Sequence, residues 1–200
     1  VPKLDNAAMP FPPATDSSAI VLATLNAKYI HASLGLRCLL ANMDRHGGAG
    51  LRARTQLREF VIQQRPTQIV EDLLALNPQV IGLGIYIVLG GPEVSYETES
   101  QEICRLADHV VTGWGDVSFP KLCRALLDGP KPLMKVVIGE QPALEELALP
   151  YDEYTAEDLA KRLLYVEASR GCPFKCEFCL SSLDKTAWAF ELDGFMAEMD

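Results

Sequence analysis

The sequence predicts an α/β protein, a doubly wound parallel sheet followed by a shorter unit that opens on one strand and a cysteine-rich loop. Three observations predict it. Continuous apolar runs such as Ala19-Ile20-Val21-Leu22-Ala23 have the uninterrupted hydrophobicity of strands covered on both faces. Segments with a 3.6-residue apolar period separate these runs, which gives the βαβαβ alternation of a parallel sheet. After a proline-containing acidic stretch, a new apolar run leads into Cys172, Cys176 and Cys179.

Residues 1–18 carry Pro2, Pro10, Pro12 and Pro13 with no apolar period and read as a disordered leader. The first strand is 19–23, its carboxyl-end loop is 24–31, and Ser33 to Met43 reads as a helix with Leu36, Leu39, Leu40 and Met43 inward. Gln56 to Ile62 is the second strand. Pro66 and Thr67 open a helix with Ile69, Val70, Leu73, Leu74 and Leu76 on one side, closed by Asn77-Pro78. Thr98 to Ala107 is a short helix with Ile103 and Leu106 inward, followed by the strand 109–112. Ser118 is the expected N-cap of the helix that ends at Leu127, and 135–138 closes the sheet as an edge strand. The first domain is thus 19–140, the linker 141–162 and the second unit 163–200. Thr155-Ala156-Glu157-Asp158 forms a capping box in the linker, and 163–168 is the next strand.

One stretch breaks the alternation. The run from Val80 to Ile87 continues directly into Val88-Leu89-Gly90-Gly91-Pro92, which itself reads as a strand and its loop. Parallel neighbours need a crossover of about a dozen residues. Either 80–90 is one long strand or a crossover helix is missing at 87/88, and the second is expected.

Composition bounds the function. An apolar content of 48% and a charged content of 22% belong to a folded protein, and 200 residues suffice for a core. The net charge of −9 with scattered basic residues argues against a nucleic-acid surface. The longest apolar run is too short to span a bilayer, and no secretory signal opens the chain, so a cytoplasmic, reducing setting is expected. The chain starts at Val1 and stops at Asp200 within an amphipathic segment, so it reads as a fragment.

Ligand counting gives the cysteine loop its meaning. Cubane iron–sulfur clusters are held by cysteine thiolates, and the C-x3-C-x2-C spacing of Cys172, Cys176 and Cys179 supplies three while leaving one iron open. Structural zinc requires four closed N/S ligands, and no Cys or His follows Cys179. Zinc and a disulfide loop stay as alternatives. Cys38, Cys104 and Cys123 lie in helical patterns and read as buried packing; Cys123 shares a face with Phe119, Leu122, Leu126 and Leu127.

With Ser169-Arg170-Gly171 before the first cysteine and Phe178 before the last, the loop resembles the signature of radical S-adenosylmethionine (radical SAM) enzymes. The resemblance implies a [4Fe-4S] cluster on the three cysteines, S-adenosyl-L-methionine at its open iron, Phe178 beside the adenine, and an electron donor of the flavodoxin or ferredoxin type. Arg170 and Lys175 would offset cluster charge.

Upstream, residues 19–138 resemble the flavodoxin-like cobalamin-binding domain of B12-dependent radical SAM enzymes. The matching positions are the loop with Asn26, Tyr29 and His31, then Gly90 and Gly91, then Gly113 and Gly115 with Trp114 and Asp116. The resemblance implies that cobalamin sits on these loops, and that the second unit is the start of a truncated (β/α) barrel. No G-x-G-x-x-G opens the first helix, which argues against a nicotinamide cofactor, while fold alone leaves flavin mononucleotide open. Asp44-Arg45-His46 approaches the mutase-type histidine motif but falls after a helix rather than a strand, so His46 reads as a helix C-terminal residue and the lower cobalt ligand is unassigned. His109 reads as structural, and Glu157, Asp158 and Glu167 as cap and strand residues. The implied function is methyl transfer to an unactivated carbon of a small-molecule or peptide substrate. The alternative is a non-catalytic fragment or binding module that holds cobalamin, a cluster or both.

Overall fold

The computed structural model describes residues 19–80, 86–130, 132–179 and 186–199, and it is an α/β structure with parallel sheets. Strand β1 (Ile20–Asn26) pairs in parallel with β2 (Thr55–Val61), from Ile20 opposite Thr55 to Asn26 opposite Val61. Its apolar start is buried at Ile20, Val21 and Leu22, as expected of a strand covered on both sides. Strands β3 (Val88–Gly90), β4 (His109–Thr112) and β5 (Val136–Ile138) form a second parallel set in chain order. Single parallel bridges from Ile20 to Val80 and from Val80 to Tyr86 place Val80 between the two sets.

Val80 and Tyr86, which flank the centre of the expected strand, make a single parallel bridge. The centre of the expected strand, 81–85, lies outside the described residues, as does the leader 1–18.

Helix α1 (Leu34–Gly47) starts where expected: the Ser33 side chain accepts from the Leu36 N–H. It packs on α4 (Gly115–Asp128), and the two bury Leu40, Met43, Phe119, Leu122, Cys123 and Leu126 in one core with Ile20, Leu22 and Val80. The α4 start differs from expectation. Trp114 occupies the N-cap position, and Ser118 is buried inside the helix, where its hydroxyl accepts from the Glu140 N–H. Ser118 serves a tertiary contact rather than the helix end.

Helix α2 (Pro66–Ala75) has the expected apolar period but buries no residue. Helix α3 is only Glu102–Leu106, and its inward residues are Cys104 and the adjoining Ala107, packed with Val94 and Val110; Ile103 and Leu106 are exposed, contrary to expectation. Small side chains allow this short helix to lie close to β4, which the longer Ile103 and Leu106 would prevent.

The linker forms 3-10 turns at Leu144–Glu146 and Tyr151–Glu153, then α5 (Ala156–Lys161) with the expected capping box between Thr155 and Asp158. Residues 163–168, expected as the first barrel strand, are not a strand. Leu163 makes one bridge to His31, and two tyrosines then take the place of a neighbouring strand. The Tyr154 hydroxyl donates to the Tyr165 carbonyl at 2.8 Å and accepts from its N–H at 3.1 Å. The Tyr151 hydroxyl does the same for Glu167, at 3.3 and 3.1 Å. Extended backbone must satisfy its polar groups, and side-chain hydroxyls suffice where no second strand lies alongside.

The strand that does form is β6 (Ser169–Gly171), paired antiparallel with β7 (Ala187–Ala189), and α6 (Leu192–Met199) follows. The cysteines therefore follow the first strand of a hairpin. Among the described residues, no helix is long and apolar enough to cross a membrane.

Candidate functional site

The cysteine loop stands at the surface. Cys172 is half-buried, Cys176 and Cys179 are exposed, and none of the six cysteines is in a disulfide. The loop is closed on itself by the Cys179 N–H donating to the Cys176 carbonyl at 3.1 Å. Gly171 enters it with φ +83°, and a side chain there would fall on the Thr186 carbonyl oxygen across the hairpin. Phe178 is 94% exposed, so core packing does not account for it.

The donor set suits a cluster by its chemistry, with three accessible thiols in one short loop. The side chains do not converge: among the described residues, no three His, Cys, Asp or Glu side chains are arranged to hold a metal ion. The upstream cysteines behave as packing residues. Burial pushes the Cys38 thiol up to about 12 and raises that of Cys123 as well, which removes both as thiolates near neutral pH.

Two of the three expected cofactor loops meet through a residue that sequence reasoning missed. The Ser95 hydroxyl donates to the Gly91 carbonyl at 2.7 Å and accepts from the Gly113 N–H at 3.0 Å. Gly113 has φ +70° and open space beside it, so this backbone is left bare toward solvent. Gly90, Gly91, Gly113 and Gly115 thereby lie at the carboxyl ends of adjacent strands β3 and β4.

The third loop is occupied by the protein itself. Asn26 donates to the His31 carbonyl at 2.8 Å and to Glu59 at 3.1 Å, the Tyr29 hydroxyl donates to Glu157 at 3.0 Å, and the His31 ring pairs with the Tyr165 hydroxyl at 2.6 Å. Asn26, Tyr29 and His31 thereby hold the linker.

Beneath them lies a buried charge network. Glu59 accepts from the Ser33 N–H at 2.6 Å, from Asn26, from Arg37 at 3.2 Å and from Arg162 at 2.6 Å. Asp158 accepts from Arg37 at 2.8 Å and from Arg162 at 2.9 Å, besides its capping-box bond. Arg162 also donates to the Tyr29 and His31 carbonyls. Burial alone would raise Glu59, but the bonds from Arg162, Ser33 and Arg37 outweigh it and hold the carboxyl below its ordinary range. Asp158 is lowered in the same way: burial opposes, and the Thr155 N–H, Arg162 and Arg37 prevail. No local pattern marks Glu59, which sits mid-strand beside another charged residue, Arg58.

His109 was expected to be structural and His46 to lie at a helix C-terminus. His109 is buried with its ring against the Met134 carbonyl at 3.1 Å, and the His46 ring meets the Glu146 carbonyl at 3.1 Å. Asp158 is the cap residue it was expected to be, while Glu167 pairs with Arg170 at 2.9 Å.

Against known proteins the similarity is narrow. No protein-family model and no solved structure matches the chain. It is similar to a protein named as an uncharacterized methyltransferase from Pyrococcus horikoshii, at 34% identity over 125 residues that cover 52% of this chain and 27% of the relative. The chain thus spans about a quarter of that relative's length. Since 52% of 200 residues is 104, the 125 matched positions include some that this chain lacks.

Proposed function

We propose that this chain belongs to a radical SAM enzyme that transfers a methyl group to an unactivated carbon with the help of cobalamin. The observation that carries the reading is the surface loop of Cys172, Cys176 and Cys179, whose three unbridged thiols match the ligand requirement of a [4Fe-4S] cluster with one open iron. The name of the Pyrococcus relative supports methyl transfer as the outcome. When bound, the cluster would supply the electron for reductive cleavage of S-adenosylmethionine, drawn from a flavodoxin- or ferredoxin-type donor. The chain's own contribution is placement: it presents the thiols, leaves Phe178 beside them for an adenine, and keeps the backbone at Gly90 and Gly113 exposed for a bulky ligand. A crossover helix of the complete sheet, missing at 87/88, belongs to the same proposal.

A second reading is favoured by the engaged side chains of Asn26, Tyr29 and His31. On that reading the chain is a binding module that holds the cluster without cobalamin.

Anaerobic reconstitution with iron and sulfide tests both. Cluster absorption with S-adenosylmethionine cleavage supports the enzyme, and added corrin absorption supports the cobalamin assignment. Cluster absorption without cleavage or corrin supports the module. Uptake of zinc with no iron overturns the cluster.

A further inference from the structure

One ion pair joins the two loops to which cluster and cobalamin are assigned. Arg170 stands two residues before Cys172, and Asp116 directly follows Gly113-Trp114-Gly115 in the first turn of α4. The guanidinium meets the carboxylate through two parallel bonds, Nη1 to Oδ2 at 2.6 Å and Nη2 to Oδ1 at 3.0 Å, and its Nε donates to Glu167 at 2.9 Å. Its face lies over the Trp114 ring at 5.0 Å, and Trp114 in turn meets the edge of Trp188 at 5.5 Å. Trp188 is the residue opposite Arg170 in the β6–β7 pair, so both strands of the hairpin rest on one residue of the first domain. The two charged side chains are 13% and 6% exposed.

Each of the three guanidinium nitrogens of Arg170 already donates to Asp116 or Glu167. The hairpin needs such an anchor. Its strands are three residues each, and a two-stranded hairpin is at best marginally stable by itself. A bidentate fork with an aromatic lid fixes direction as well as distance, which a lysine could not do.

We infer that Asp116 is a positioning residue of the cysteine loop: by gripping Arg170 it sets Gly171-Cys172 against the Gly113-Trp114-Gly115 edge. The inference rests on reading that loop as the cluster site.

The test uses the reduced, metal-free chain first. Trypsin cleavage at the Arg170–Gly171 bond is compared with cleavage at exposed Lys28 in the wild type, Asp116→Asn and Arg170→Lys, with circular dichroism to confirm folding. Release of Arg170 in Asp116→Asn should raise cleavage there at least about a hundredfold relative to Lys28, the smallest change expected when a buried charge pair loses one partner. Arg170→Lys, which keeps a trypsin site without the fork, should show the same direction and decides the matter if Asp116→Asn fails to fold. After anaerobic reconstitution, Asp116→Asn should broaden the electron paramagnetic resonance signal of the reduced cluster. Equal cleavage ratios in the folded variants would overturn the positioning role. An unchanged spectrum beside faster cleavage would also overturn it, leaving a structural contact alone. If the wild type takes up no iron, the cluster reading fails, while the cleavage ratio still reports on the Asp116 grip.

Discussion

Replacing Glu59 by glutamine tests how the linker is held on the first domain. The carboxylate accepts from Asn26, Ser33, Arg37 and Arg162, and its side chain is 8% exposed. The amide introduced by Glu59→Gln is neutral and offers one accepting atom, so Arg37 and Arg162 would remain buried with Asp158 as their only carboxylate. Breaking a buried pair in this way costs about 3–5 kcal/mol, because the remaining charge stays desolvated. With a urea slope of about 2 kcal/mol/M, the unfolding midpoint should fall by roughly 1.5–2.5 M. The loss should begin locally: the Leu163 N–H, bonded to the Ile30 carbonyl at 2.8 Å, should lose hydrogen-exchange protection before the core amides of β1 do. A loss below about 1 kcal/mol, the worth of an exposed pair, would refute the claim that this network anchors the linker.

Acid should act through the same groups. Glu59 and Asp158 both titrate below their ordinary values in the folded chain, so the stability they give is complete above the unfolded range near pH 4 and is lost as pH falls through the lower folded values. Thermal midpoints between about pH 7 and pH 3 should show that decline, with a shallower slope in Glu59→Gln. Thiol titration of the native, metal-free chain at about pH 8 should find three reactive cysteines, rising to six in denaturant, since Cys38, Cys104 and Cys123 are buried; rapid reaction of a fourth would contradict the core packing. Gly171→Ala puts a side chain on left-handed backbone and drives it against Thr186, at a cost of about 1–3 kcal/mol. Exchange protection of the Phe190 N–H, which donates to the Ala168 carbonyl, should be lost while the urea midpoint of the core holds.

The parallel α/β architecture was legible because burial on both faces leaves continuous apolar runs, and β1 is such a run. The Thr155–Asp158 box was legible because helix caps are local chemistry. Ser118 misled for the same reason: a serine near a helix start suits a cap, and only its tertiary partner Glu140 shows its use. Ile103 and Leu106 were assigned inward by period, yet a five-residue helix is oriented by what its neighbours admit.

For the candidate site, the sequence by itself determined the donor chemistry. Three cysteines within one short loop define a thiol-rich site whatever the chain does around them, and the paired glycines define bare backbone wherever they fall. Tertiary structure alone decided which groups meet. Glu59 gathers donors from Asn26, Ser33, Arg37 and Arg162, and Asp116 grips Arg170 from 54 positions away. Such pairings depend on where separate elements place their side chains, and buried charges find partners by distance in space, with no trace in the spacing of the residues along the chain.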